Sequence, residues 1–124
     1  MAPIMINPIV HIEIAGQDGE KLEDFYSRLF GWSIARRIVG PGFPYGQIDT
    51  IAKSASVTGG IRHEPEGKAE LVFYVEVDDL PAALAQAQEL GATVRIPIIT
   101  TPDLTFAMIT DPEGNPVGMI QKKE

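Results

Sequence analysis

The sequence predicts an α+β fold built from two tandem βαβββ modules, and three observations carry that prediction. An alternating apolar segment at residues 9–15 is followed by a helical spacing of apolar residues; the same order recurs from residue 70; and glycines fall at matching places in the two halves. Each module needs a second layer to bury its apolar faces. The two four-stranded sheets are therefore expected to lie side by side as one curved, eight-stranded mixed sheet, a cup with the helices on its outer face.

In the first module, residues 9–15 read IVHIEIA, with Val10, Ile12 and Ile14 on one face and His11 and Glu13 on the other. A period of two is the mark of a half-buried strand. Leu22, Phe25, Tyr26, Leu29 and Phe30 then follow the i, i+3, i+4, i+7, i+8 spacing of an amphipathic helix, and Gly31 stands where a left-handed cap would end it. Phe25, Tyr26, Phe30 and Trp32 are read as core where helix meets sheet, not as an aromatic binding box. Residues 33–39, 45–51 and 57–62 read as short strands separated by Gly40-Pro41-Gly42 and Lys53-Ser54.

The second module repeats the order. Residues 70–77 (ELVFYVEV) make a continuous strand, Asp78 and Asp79 are cap candidates, and Pro81 suits the first turn of a helix carrying Leu80, Ala83, Leu84, Ala87 and Leu90. Gly91 ends that helix, and residues 93–98, 104–110 and 117–121 supply three more strands, with Asp111-Pro112-Glu113-Gly114-Asn115 as the last turn. Setting Asp18 against Asp78 aligns Gly31 with Gly91 at an offset of 60, with 13 residues from Asp to Gly in each half. Gly60-Ile61 aligns with Gly118-Met119 at an offset of 58. Module 1 is placed at about 8–63 and module 2 at about 69–122, within a single domain spanning 1–124.

A length of 124 residues suits one domain, and 44% hydrophobic with 22% charged residues is an ordinary globular composition. The formal net charge of −7 opposes a phosphate-binding surface, so nucleic acid is not an expected partner. The absence of cysteine removes disulfides, thiolate nucleophiles and Cys-based zinc sites, and fits a reducing compartment. Any metal must bind through N and O. No apolar run approaches the roughly 20 residues of a membrane span, and the start, MAPIMINPIV, lacks the basic and apolar regions of a secretory signal. A cytoplasmic location with no membrane partner is expected. The stretch Gly40-Pro41-Gly42-Phe43-Pro44 lacks the helix and Lys of a phosphate-binding loop and reads as a lip over the cup. Two histidines and no nucleophile elbow leave no Ser-His-Asp hydrolase to defend.

His11-Ile12-Glu13-Ile14, Asp18, Asp24-Phe25-Tyr26 and Leu29-Phe30-Gly31-Trp32, in that order, resemble the opening of vicinal-oxygen-chelate proteins, the superfamily of glyoxalases, bleomycin-resistance proteins and extradiol dioxygenases. Gly59-Gly60-Ile61, residues 74–80 (YVEVDDL) and the closing DPEGN fit the same family, so the resemblance spans almost the whole chain. It is specific for the fold and much less so for the reaction. It implies a metal held by one side chain from the first and one from the last strand of each module, with open positions for two adjacent substrate oxygens. His11 matches the first ligand. Its repeat partner is Leu71, or Val72 if the register shifts by one, and the last-strand positions fall at Gly60 and Gly118; none of these coordinates. A catalytic divalent ion normally takes three or more protein donors. No cofactor is therefore expected, and the ligand positions do not support a divalent metal.

His11 is a candidate ligand, general base or hydrogen-bonding residue of the cup lining. Glu13, on the same strand face, is a candidate base, or else a structural partner of Arg62. His11 and Glu13 make up the catalytic set. Arg62, with His63, can hold a substrate carboxylate or phosphate through a two-pronged contact. Tyr45 and Gln47, which alternate with Asp49 along a predicted strand, and Phe73 complete the ligand-binding set.

Two functions compete. One is an enzyme-like member, a lyase or dioxygenase-like protein acting on a small oxygenated metabolite, with His11 or Glu13 as base or atypical ligand and Arg62 as anchor. The other is a non-enzymatic protein of the bleomycin-resistance type that sequesters a drug or antibiotic, which needs no metal ligands and suits the acidic charge. Apolar residues such as Leu71 and Phe73 on concave sheets, and the habits of relatives, imply a homodimer.

Overall fold

Eight strands and two helices follow one another in the computed structural model, which describes residues 6–40, 42–48 and 57–123. They are β1 (Ile9–Gly16), α1 (Gly19–Phe30), β2 (Ile34–Val39), β3 (Phe43–Ile48), β4 (Thr58–His63), β5 (Glu70–Val77), α2 (Leu80–Glu89), β6 (Thr93–Thr100), β7 (Thr105–Thr110) and β8 (Pro116–Gln121). This is the predicted α+β order, βαβββ twice. Pro41, Asp49, Lys53 and Ser54 lie outside the described residues. Among the described residues no helix is long and apolar enough to cross a membrane.

The chain divides into two compact units. One is Val10–Val72; the other runs from Phe73 onward and takes in the residues before Val10. In the first unit the strand order is β2-β3-β4-β1. β1 pairs with β4 in parallel, setting His11 opposite Thr58 and Glu13 opposite Gly60, while β3 runs antiparallel to both β2 and β4. Parallel pairing of β1 with β4 requires a long crossover, and α1 supplies it. Asp18 caps α1 by accepting from the Lys21 backbone N–H at 3.0 Å, and Gly31, at φ 70°, closes its end with an N–H to the Ser27 carbonyl at 2.9 Å. Ala15, Ile48 and Ile61 are buried in this unit.

The helix stripe does not go where the spacing predicts. Phe25, Leu29 and Phe30 are 55%, 59% and 56% exposed, so they are not core. Leu22 and the polar Glu23 and His63 occupy the approach of α1 to the sheet: a side chain at Gly16 would strike Leu22, one at Gly46 would strike Glu23, and one at Gly19 would strike His63. The apolar stripe is wider than that contact. Its remainder becomes a surface aromatic cluster in which the rings of Tyr26 and Trp32 stack at 5.4 Å and Phe30 also lies 5.4 Å from Trp32.

In the second unit the order is β5-β8-β7-β6, again with a parallel inner pair, β5 and β8, and Tyr74 opposite Gly118. Asp79 caps α2 through the Ala82 backbone N–H at 3.0 Å, and Pro81 sits in the first turn. The core joins Val77, Leu80, Ala107, Ile109 and Met119, with Ala83, Leu84 and Ala87 of α2 packed against them. The pairing of β6 with β7 slips between Val94 and Ile96 and again between Ile96 and Ile99, around Pro97, which has no N–H to give to the ladder.

The repeat is real but its register differs from the predicted one. The caps are Asp18 and Asp79, not Asp78, an offset of 61, and Glu13 and Tyr74, also 61 apart, stand opposite Gly60 and Gly118, which keep the expected offset of 58. The equal 13-residue spacing depended on the wrong aspartate, and α2, at 10 residues against 12, is the shorter helix. At this register the counterpart of His11 is Val72.

Candidate functional site

Side chains on a strand alternate between faces. In the first unit Gly16, Gly46 and His63 turn toward α1, so His11, Glu13, Tyr45, Thr58, Gly60 and Arg62 share the opposite face. Cross-strand register brings them together: Tyr45 lies opposite Arg62, and Arg62 opposite Ala15.

A continuous polar chain results. The Thr58 hydroxyl lies 2.5 Å from His11 Nδ1, and Tyr45 Oη lies 2.8 Å from His11 Nε2. Tyr45 donates to Glu13 Oε2 at 2.8 Å, and Arg62 Nη1 donates to Glu13 Oε1 at 2.5 Å. Arg62 Nη2 reaches Glu70 Oε2 at 2.5 Å, and its Nε faces Glu64 Oε1 at 2.9 Å. Glu13 is only 5% exposed. A carboxylate that deep is tolerated when it is paired and hydrogen-bonded, and Tyr45 and Arg62 meet both conditions. Burial lowers the pKa of His11 from its ordinary 6.5, and the nearby Glu13 charge opposes that shift without cancelling it.

The residues at the family's ligand positions do not fit a divalent ion. Both ring nitrogens of His11 have hydrogen-bond partners. At Gly60 the space a side chain would need is filled by the Tyr45 ring, and at Gly118 it is filled by the ring of Tyr74. Each unit has thus placed a tyrosine where a ligand would project. Val72, the counterpart of His11, is a buried hydrocarbon. Among the described residues no three His, Cys, Asp or Glu side chains are grouped so as to hold a metal.

His11, Glu13, Tyr45 and Arg62, all singled out in the sequence, meet in this chain. Gln47 stands opposite Gly60 on the same face, where its side-chain oxygen accepts from Arg37 Nη1 at 2.7 Å. Phe73 falls on the other face of β5 from Tyr74, with Val75 and Val77, which pack in the α2 core. His63 parts from Arg62 and lies against Glu23 Oε2 at 2.7 Å on the α1 side. Burial disfavours the charged form of Glu23, but hydrogen bonds and charge from Arg36 and His63 together hold its carboxyl below the usual range. Sequence reasoning missed Thr58, Glu64, Glu70 and Tyr74. Parity offered a signal for two of them, since Glu70, Val72 and Tyr74 share one face of a single strand.

Residues 8–119 match the profile of the Glyoxalase/Bleomycin resistance protein/Dioxygenase superfamily. No curated protein matches the sequence. Among solved structures, a hypothetical protein from Bacillus halodurans C-125 superposes with a TM-score of 0.71 at 14% identity, over 95% of this chain and 96% of that one. A methylmalonyl-CoA epimerase follows with 0.65 at 19% identity, over 94% and 95%. A variant of the Streptomyces coelicolor methylmalonyl-CoA epimerase in complex with 2-nitronate-propionyl-CoA gives 0.67 at 13% identity, over 94% and 97%. Identities this low speak for the fold alone.

Proposed function

Since the chain belongs to the Glyoxalase/Bleomycin resistance protein/Dioxygenase superfamily, we propose that it binds a small oxygenated molecule on the polar face of β1, β3 and β4 without a resident metal ion. The observation that carries this reading is the pair of tyrosine rings over Gly60 and Gly118, which occupy the places from which a ligand side chain would reach a metal. In this reading His11 touches the bound molecule and Tyr45 positions its imidazole. Glu13 positions Tyr45, and Arg62 compensates the Glu13 charge. The test is elemental analysis of untagged protein after incubation with Mn, Fe, Co, Ni and Zn and desalting, with His11→Ala alongside. No retained metal is expected, together with hits in a small-molecule thermal-stabilisation screen. One metal per chain, lost in His11→Ala, would overturn the reading.

A second, enzymatic reading rests on the order of the polar chain. An imidazole backed by a carboxylate through a phenol is an arrangement that can accept and hold a proton, and His11 would then be a general base. Turnover of a stabilising compound, abolished in His11→Ala, separates an enzyme from a sequestering protein. Two further features belong to the proposal. The lack of cysteine supports a reducing, cytoplasmic setting, and exposed apolar side chains support pairing of two copies.

A further inference from the structure

The hydrogen-bond chain has a direction, and the direction says what kind of ligand the site accepts. A phenol carries one proton. Tyr45 Oη stands 2.8 Å from both the Glu13 carboxylate and His11 Nε2, so it can donate to only one of them. Were it to donate to His11, an acceptor-only carboxylate oxygen would face the phenol oxygen with no proton between them, in a side chain that is 5% exposed. Two oxygens 2.8 Å apart, one of them a carboxylate's, repel unless a proton lies between them. Tyr45 therefore donates to Glu13 and receives from His11 Nε2–H.

A neutral imidazole with its proton on Nε2 has a lone pair on Nδ1. Its neighbour at 2.5 Å is the hydroxyl of Thr58, an exposed residue at the first position of β4. That hydroxyl has an alternative acceptor, the Val10 carbonyl at 3.3 Å, and can turn to it when another donor arrives. The surroundings disfavour anions: three carboxylates, Glu13, Glu64 and Glu70, converge on Arg62, and Arg37, on the same face, is engaged by Gln47.

We propose that the Thr58 hydroxyl stands in for a ligand, and that the site takes a neutral molecule through an O–H donor, an alcohol, phenol or enol, bonded to His11 Nδ1, in preference to a carboxylate or phosphate. This rests on the metal-free binding reading and narrows it to a ligand class. Tyr45 and Glu13 are positioning residues, acting through the imidazole.

The chain has two histidines, so long-range nitrogen–proton NMR of the full chain, with His63→Gln for assignment, reads His11 directly. Wild type is expected to show the Nε2–H tautomer at neutral pH, Tyr45→Phe a mixture of tautomers, and Thr58→Val the wild-type pattern. Phenol, titrated to its solubility limit, is expected to shift Nδ1 saturably, and to bind about two- to tenfold tighter in Thr58→Val, the factor one neutral hydrogen bond is worth. Benzoate is the matched anion and is expected to leave Nδ1 unmoved. An Nδ1–H tautomer, a Nδ1 resonance still at the phenol limit, or an equal response to benzoate overturns the inference while leaving metal-free binding intact. Retention of metal overturns that underlying reading instead.

Discussion

At the scale of single residues, Tyr45 is the hinge of the site because its hydroxyl answers both His11 and Glu13. Tyr45→Phe removes that hydroxyl and keeps the ring over Gly60. The buried Glu13 carboxylate then loses one of its donors, for which a loss of about 1–3 kcal/mol is expected in urea denaturation; an unchanged midpoint would show that the Tyr45 bond to Glu13 contributes nothing to stability. Arg62→Ala should cost more, about 3–5 kcal/mol, because it removes the guanidinium paired with the buried Glu13 carboxylate. His11 gives a pH signature. Its folded pKa lies below the ordinary 6.5, so the unfolded chain takes up the proton first, and stability falls as pH drops from about 6.5 through the folded value. Compared at about pH 7 and about pH 5, His11→Gln should lose less stability than wild type. Much of this was legible in the sequence, since alternation put His11 and Glu13 on one face and Arg62 with them. The pairing of Glu70 with Arg62 and of Thr58 with His11 was not, because strand order sets those partners, and local periodicity, which gives only the face of Glu70, does not encode it.

At the scale of elements, the two inner strand pairs are built alike. Each sets a glycine on the last strand of its module under a tyrosine ring, Gly60 under Tyr45 and Gly118 under Tyr74. Yet the tyrosines differ in origin: Tyr74 is directly opposite its glycine on β5, whereas Tyr45 leans in from β3, one row away. Gly60→Ala forces the Tyr45 ring off its bonds to His11 and Glu13. Gly118→Ala presses on Tyr74, which is 8% exposed. Each is expected to cost about 1–3 kcal/mol by overpacking. In double variants with Tyr45→Ala or Tyr74→Ala respectively, the glycine substitution should cost markedly less than it does alone, and additive losses would show that the rings are not what the new methyl group meets. Strand and helix order could be read from the sequence because periodicity and punctuation are local. The offset of the repeat could not: Asp78 and Asp79 are adjacent cap candidates, and only the fold shows that Asp79 accepts from Ala82.

At the scale of the whole molecule, the misread helix stripe becomes the most informative surface. The core reading of Phe25 and Phe30 rests on a spacing rule that says a helix has an apolar face, but not what covers it. More than half of each is exposed, beside the stacked Tyr26 and Trp32. Contiguous apolar patches on soluble chains commonly mark contact surfaces, and a two-fold axis lets one patch cover itself. Self-association through α1 is the outcome expected, with Leu71, 68% exposed, as the competing contact. Each chain carries a formal charge of −7, so the partners repel at long range and added salt, which shortens the screening length to roughly 8 Å at physiological strength, should strengthen the pairing. Light scattering at micromolar protein is expected to give a dimer whose fraction rises with salt. Phe25→Lys with Leu29→Glu should give a monomer of undiminished stability, and Leu71→Glu should remain a dimer. A wild-type monomer at all salt concentrations sinks the pairing, and a monomer produced by Leu71→Glu but not by the α1 variant moves the interface from the helix to β5.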